Sequence, residues 1–346
     1  MLNTTSLRYR YTHIFVLFML CFFIYSMFRS IGVSGIRNFE ENLYKKDFLI
    51  ENAILLRMKM GDRVFPQVLL EQDGWMGHIT EREFDYYQNV KPFKNKTIIV
   101  KELINLNQYL ESQGITLLLV AAPSKSTIYP DKIPGQIKSM PVESRLDTLI
   151  AELEDNNLPI ILDLRPILST ARQNQDVYYK TNTHWNGYGA FVAYAAIINT
   201  LGSSHPELKP YKAADLRLVT TDPVVQDLTV MMHANFIKER SFFFVPKVSF
   251  VQTLYSDNYL GYHQFSSTPD CNLPTLLMFH DSFGEYYLND YLSMNFSKSH
   301  FVYNNGIRKT LTTESLDQIK PDIVIIEISE RNLEMLENHL SSFAPK

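Results

Sequence analysis

The chain has 346 residues, 45% of them apolar and 20% charged, enough to bury a large core, which excludes disorder, collagen-like repeats and small disulfide scaffolds. Its 33 basic and 37 acidic side chains leave a formal charge of −4 with no long single-sign run, so nucleic acid is not an expected partner. The two cysteines are Cys21, inside the most apolar segment, and Cys271, which excludes a structural disulfide and a four-cysteine zinc site.

Residues 14–28 carry no charge, and with Tyr11, Thr12 and His13 the stretch covers about 27 Å as a helix, close to the ~30 Å hydrocarbon core. No small-x-small cleavage site follows Met27 and Phe28, so residues 1–35 are expected to be an uncleaved signal anchor rather than a cleaved signal or a core helix. Positive charges on both flanks leave the orientation open by count, and the short N-terminal tail favours an inside start. Residues 36–66, with Phe39, Leu43, Phe48, Leu49 and Ile54 at helical spacing, read as a helical stalk.

From 67 to 346 the pattern is that of one α/β body. Apolar, β-branched runs at 115–121, 160–162, 276–279 and 323–326 alternate with predicted helices at 102–113, 144–155, 187–201, 285–293 and 331–340. Such alternation implies a mostly parallel central sheet flanked by helices on both faces. Residues 203–272, with dispersed prolines and the run Phe242, Phe243, Phe244, break the rhythm and read as an irregular or β-rich insertion.

In an open α/β sheet the ligand crevice lies beyond the carboxyl ends of the strands, so the polar residues there are the candidates for chemistry. Ser282, in Phe279-His280-Asp281-Ser282-Phe283-Gly284 after the 276–279 run, sits where a hydroxyl is exposed beside the free N–H groups of a following helix. It is a candidate nucleophile, or Asp281 and Ser282 simply cap that helix. His184 and Trp185 precede helix 187–201, and a lone histidine there is either structural or a base. Lys125 and Tyr129, in the Pro123–Pro130 loop, either contact substrate or belong to a proline-shaped surface loop. His184, His280 and Asp281 lack a recognisable metal-ligand spacing, so no metal is expected.

Taken in order, Asp73-Gly74-Trp75, Pro123-x-Lys125 with Tyr129-Pro130, Thr181-x-Thr183-His184-Trp185-Asn186, Asp281-Ser282-Phe283 and Pro321-Asp322 with Glu330-Arg331 resemble the alginate O-acetyltransferase group of SGNH-hydrolase-like proteins. The resemblance implies an SGNH-hydrolase-like domain over 67–346, anchored in the cytoplasmic membrane and exported to the periplasm or beyond, that handles O-acetyl groups on a polysaccharide. It implies Ser282 as nucleophile and His184 as base, with Lys125, Tyr129, Trp185 and Arg331 at the substrate and no cofactor. It further implies a multi-pass membrane acyltransferase as the partner that supplies acetyl groups. In this group an aspartate stands where the chain has Asn182. Asparagine orients an imidazole by hydrogen bonding but cannot stabilise the imidazolium by charge, and in a serine protease the equivalent change costs about 10⁴ in kcat. Either another carboxylate serves, with Asp163 and Asp281 as candidates, or activity is low, or the domain binds sugar without catalysis, with Trp75 and Trp185 as stacking platforms. Transferase and esterase share the chemistry up to the acyl-enzyme and stay unresolved.

Overall fold

The computed structural model describes residues 16–25, 28, 45–80, 93–135, 137, 143–258, 261–304 and 311–340. By contact density the chain divides into two units, 1–62 with 232–236 and 63–231 with 237–346. In the first, residues 16–25 are helical with Leu17, Phe18 and other apolar side chains exposed, and α1 (Lys46–Lys59) occupies the predicted stalk. Among the described residues no helix is long and apolar enough to cross a membrane; the rest of the predicted anchor, and residues 36–44 of the predicted stalk, lie outside them. Cys21 and Cys271 are both free and exposed.

The second unit holds the sheet. Its strands in chain order are β1 (Val68–Leu70), β2 (Met76–His78), β3 (Thr116–Ala122), β4 (Ile161–Asp163), β5 (Leu216–Thr220), β6 (Phe242–Pro246), β7 (Gln252–Asn258), β8 (Gly261–Ser267), β9 (Thr275–His280), β10 (Lys298–Tyr303) and β11 (Ile323–Ser329). Seven of them form the central sheet in the order β4-β3-β11-β9-β10-β8-β7. The first five are parallel, with β3 and β11 in register from Thr116 opposite Ile323 to Ala122 opposite Ser329. The last two are antiparallel, so the sheet is mixed. The antiparallel edge comes from the insertion at 203–272, whose β7–β8 hairpin adds to β10, a strand the sequence reading did not identify.

Both faces of the parallel core are covered, which is why its strands read as unbroken apolar runs rather than alternating ones. Leu118, Val120, Leu276, Met278, Ile323 and Ile325 pack with Ala193, Tyr194 and Ile197 of α4 (Gly187–Leu201). Their neighbours Leu117, Leu119, Leu277, Val324 and Ile326 pack on the other face with Leu103 and Leu106 of α2 (Lys96–Ser112), Leu149 of α3 (Arg145–Asp155) and Leu316 of α5 (Thr313–Ile319). Period-2 alternation thus feeds two helical layers from one sheet.

Two predicted helices are corrected. Residues 285–293 form a kinked turn, Gly284–Leu288, and a short helix, Asn289–Leu292, because Tyr287 takes φ 69°, a left-handed conformation that a helix cannot continue through. Residues 331–340 begin as a 3₁₀ turn, Glu330–Met335, before helix Leu336–Leu340.

Candidate active site

Beyond the carboxyl ends of β9 and β11 the chain is pinned into a tight turn. Asp281 accepts the N–H of Phe283 at Oδ1 and that of Ser329 at Oδ2, both at 2.9 Å, while its own N–H donates to Glu327 Oε2 at 3.0 Å. Burial, then the adjacent Asp281 charge, push the Glu327 carboxyl well above the usual carboxylate range. Gly284 is required here: a Cβ would lie 2.5 Å from the His280 ring. Held in this way, Ser282 opens a helical turn, where first-turn amides lack intrahelical acceptors.

The opposing arm runs from Tyr178 to Asn186. Buried Lys125 donates through Nζ to the carbonyl oxygens of Tyr179, Lys180 and Asn182 at 3.2, 3.1 and 2.7 Å, and the Glu239 carboxylate accepts the N–H groups of Lys180 and Thr181 at 2.9 and 2.8 Å. Asn186 ends the arm as the N-cap of α4, its Oδ1 accepting the N–H groups of Tyr188 and Gly189 at 3.0 Å. Between these clamps His184 reaches the turn.

His184 Nε2 lies 2.8 Å from Ser282 Oγ, and Nδ1 lies 2.8 Å from Asn182 Oδ1. The amide's orientation follows from its surroundings. The His184 backbone N–H, which can only donate, points at the same atom at 2.9 Å, so that atom is the amide oxygen, and Asn182 Nδ2 turns to Gln226 Oε1 and the Tyr286 hydroxyl at 2.8 and 3.2 Å. An oxygen facing Nδ1 selects the tautomer protonated there and leaves Nε2 free to accept from Ser282. The kink at Tyr287 lays the Tyr286 ring flat on the imidazole, 4.0 Å away and tilted by 7°. Burial, with the positive charges of Arg331 and Lys125, holds the His184 pKa well below the usual histidine range, so the resting ring is neutral.

Of the residues expected at the substrate, Arg331 lines a cleft together with Glu71, His78, Ser126 and Thr183, and its guanidinium lies 5.6 Å over the Phe283 ring. Lys125 also borders this cleft, but its ammonium is directed at the three carbonyls. Tyr129 is buried, with its hydroxyl accepting the Val177 N–H at 2.9 Å and its ring 4.1 Å from that of Trp75. Trp185 is fully buried and donates through Nε1 to the Tyr286 carbonyl at 3.0 Å, and Trp75 is buried as well. Neither tryptophan offers a stacking surface. His280 has both ring nitrogens occupied, by the Asp281 carbonyl and the Asn289 side chain.

Neither candidate carboxylate bonds to His184. Asp163 is held by Arg165 through both oxygens at 2.9 and 2.8 Å, and both oxygens of Asp281 are spent on the turn. The carboxylate beside the imidazole is Asp227, whose Oδ2 lies 3.6 Å from Nδ1. Asp227, Gln226 and Glu239 all come from the insertion, where single polar residues carry no spacing that marks them.

Residues 68–249, more than half of the chain, match the family model described as the SGNH hydrolase-like domain of the acetyltransferase AlgX. A probable alginate O-acetylase AlgJ of Pseudomonas syringae pv. tomato is 29% identical over 182 residues, 51% of this chain and 44% of that protein. Its counterpart in Pseudomonas fluorescens is 23% identical over 261 residues, 65% of this chain and 63% of that one. The chain thus spans about half the length of the first relative and less than two thirds of the second. Among solved structures, Bacillus cereus PatB1 superposes with a TM-score of 0.59 at 19% identity, covering 78% of this chain and 98% of its own. The O-acetyltransferase domain of Pseudomonas putida AlgJ superposes with a TM-score of 0.52 at 20% identity, covering 81% and 96%. These likenesses establish a shared fold, and with the match over 68–249 the chain belongs to the AlgX-type family of SGNH hydrolase-like domains.

Proposed function

We propose that this chain is a polysaccharide O-acetyltransferase that works through an acetyl-enzyme on Ser282, anchored by its N-terminal segment with the α/β body outside the cytoplasmic membrane. The observation that carries the reading is the hydrogen-bonded line from Ser282 through His184 to Asn182, in which a neutral imidazole presents an acceptor nitrogen to a hydroxyl. His184 Nε2 takes the Ser282 proton as Oγ attacks the acetyl carbonyl. The Ser282 N–H, at the opening of its turn, faces the developing oxyanion. The imidazolium returns the proton to the leaving group. A sugar hydroxyl then attacks the acetyl-serine while giving its proton to His184, and the acyl–Oγ bond breaks as His184 passes that proton to Ser282 Oγ. The oxygen-to-oxygen transfer needs no cofactor. The probable alginate O-acetylases among the relatives favour a polysaccharide acceptor, and a multi-pass membrane acyltransferase is the partner that would bring acetyl to an exported domain. Arg331, on the cleft, is the substrate-binding candidate, while Lys125, Tyr129 and Trp185 act by holding the site.

Full-length protein in detergent, supplied with 4-nitrophenyl acetate and an oligosaccharide, tests this. Acetyl should appear on the sugar by mass spectrometry, and Ser282→Ala should lower turnover at least about 10³-fold. Acetate release without sugar acetylation would make the protein an esterase. Sugar binding without Ser282-dependent turnover would make it a non-catalytic module.

A further inference from the structure

Asn182 selects the tautomer of His184 but brings no charge, and the site is otherwise hostile to an imidazolium. The ring is buried, and the charges of Arg331 and Lys125 that bear on it are positive. Tyr286 and Phe283 cover its faces. Among the described residues the carboxylate beside the ring is that of Asp227. Its Oδ2 accepts the Thr183 hydroxyl proton at 2.5 Å, and its two oxygens lie 2.9 and 3.2 Å from the Thr183 N–H. A carboxylate only accepts and a hydroxyl has one proton, so Thr183 Oγ1, 3.0 Å from His184 Nδ1, faces the ring as an acceptor. The Nδ1 proton therefore lies between two acceptors, Asn182 Oδ1 and Thr183 Oγ1, with the Asp227 charge 3.6 Å away.

We propose that Asp227, acting through Thr183, is the carboxylate of this site, so that the work of a single aspartate is divided between Asn182, which orients the imidazole, and Asp227, which stabilises its charged form. This rests on the Ser282–His184 reading above. Asp227 touches no reacting atom and takes up no proton; it is a positioning and electrostatic residue. An opposite charge at this range favours the charged form of a histidine by about 1–3 pKa units. Because Asn182 keeps the tautomer, loss of Asp227 should cost less than the ~10⁴ seen where the tautomer is lost as well.

The test measures Ser282-dependent hydrolysis of 4-nitrophenyl acetate by the full chain across pH. Asp227→Asn should lower kcat about 10- to 10³-fold with little change in KM, and should move the acid limb of the profile to lower pH, since an imidazolium without its counter-charge loses its proton more readily. Adding Asn182→Asp to Asp227→Asn should recover most of the loss, by placing the charge directly on Nδ1–H. Thr183→Val should reproduce the loss and Thr183→Ser should recover it, which decides the matter if Asp227→Asn fails to fold. A parent with Ser282-dependent turnover whose rate and acid limb are untouched by Asp227→Asn, or by Thr183→Val, overturns this proposal and leaves the acetyl-enzyme reading standing. A parent without Ser282-dependent turnover removes both.

Discussion

Lys125 illustrates how far a residue's chemistry depends on what faces it. After a strand, beside the crevice, a lysine suggests a cation for substrate; here its ammonium is buried and donates to three carbonyls of the arm that presents Asn182 and His184. Replacing it with methionine keeps the apolar stem and removes the donors. Lys125→Met should lower stability by at least about 1–3 kcal/mol, the cost of leaving a buried acceptor unpaired, and should lower kcat for acetyl-ester hydrolysis as His184 loses its fixed approach to Ser282. Urea unfolding and steady-state kinetics on the same preparation check both, and an unchanged kcat would show that the arm does not need this clamp. Gly284 is the other residue whose identity the turn dictates, since an added methyl has no space beside His280.

At the level of elements, the ends of β9 and β11 carry buried titratable groups of opposite sign. His280, at the end of β9, donates from Nδ1 to the Asp281 carbonyl at 2.8 Å and accepts at Nε2 from Asn289 at 3.1 Å, and burial lowers its pKa to about 4. The folded state keeps it neutral while the unfolded chain binds a proton below about pH 6.5, so stability falls on acidification between pH 6.5 and 4. Between pH 6.5 and 5 this one group should remove about 2 kcal/mol. Urea unfolding at pH 7 and pH 5 should show the drop, and His280→Gln should reduce it by about that amount; an undiminished drop would assign it to the other histidines lowered by burial, His184, His263 and His300. Glu327 on β11 works the other way. Its raised pKa contributes stability at low pH that is lost as pH climbs above the ordinary glutamate range.

For the molecule as a whole, the mixed sheet with helices on both faces places the two tryptophans of the sequence, Trp75 and Trp185, inside the core at 2% and 0% exposure. Native emission should therefore be blue-shifted and insensitive to iodide, and should shift to the red in a single transition on unfolding. An oligosaccharide bound in the cleft beside Arg331 should leave that emission nearly unchanged. Strong quenching by iodide or by sugar would instead mean a tryptophan on the surface, as a stacking platform for carbohydrate requires.

Local pattern was enough for the parallel core and for α4, because a strand covered on both faces must be apolar throughout and a helix bounded by Asn186 and Gly202 announces its own ends. The placing of Ser282 after β9 and His184 before α4 was readable for the same reason, since strand ends in this architecture converge. Strand β10 was not, because its Lys298, His300 and Tyr303 interrupt the apolar run, and its place is fixed by pairing with β9 on one side and β8 on the other. The kink at Tyr287, the burial of Lys125, Tyr129 and Trp185, and the approach of Asp227 to His184 were decided by tertiary structure alone. Each depends on a partner far away in the chain, forty-four residues in the case of Thr183 and Asp227, and the energy of a charge or a hydroxyl is set by the groups it meets rather than by its neighbours in sequence.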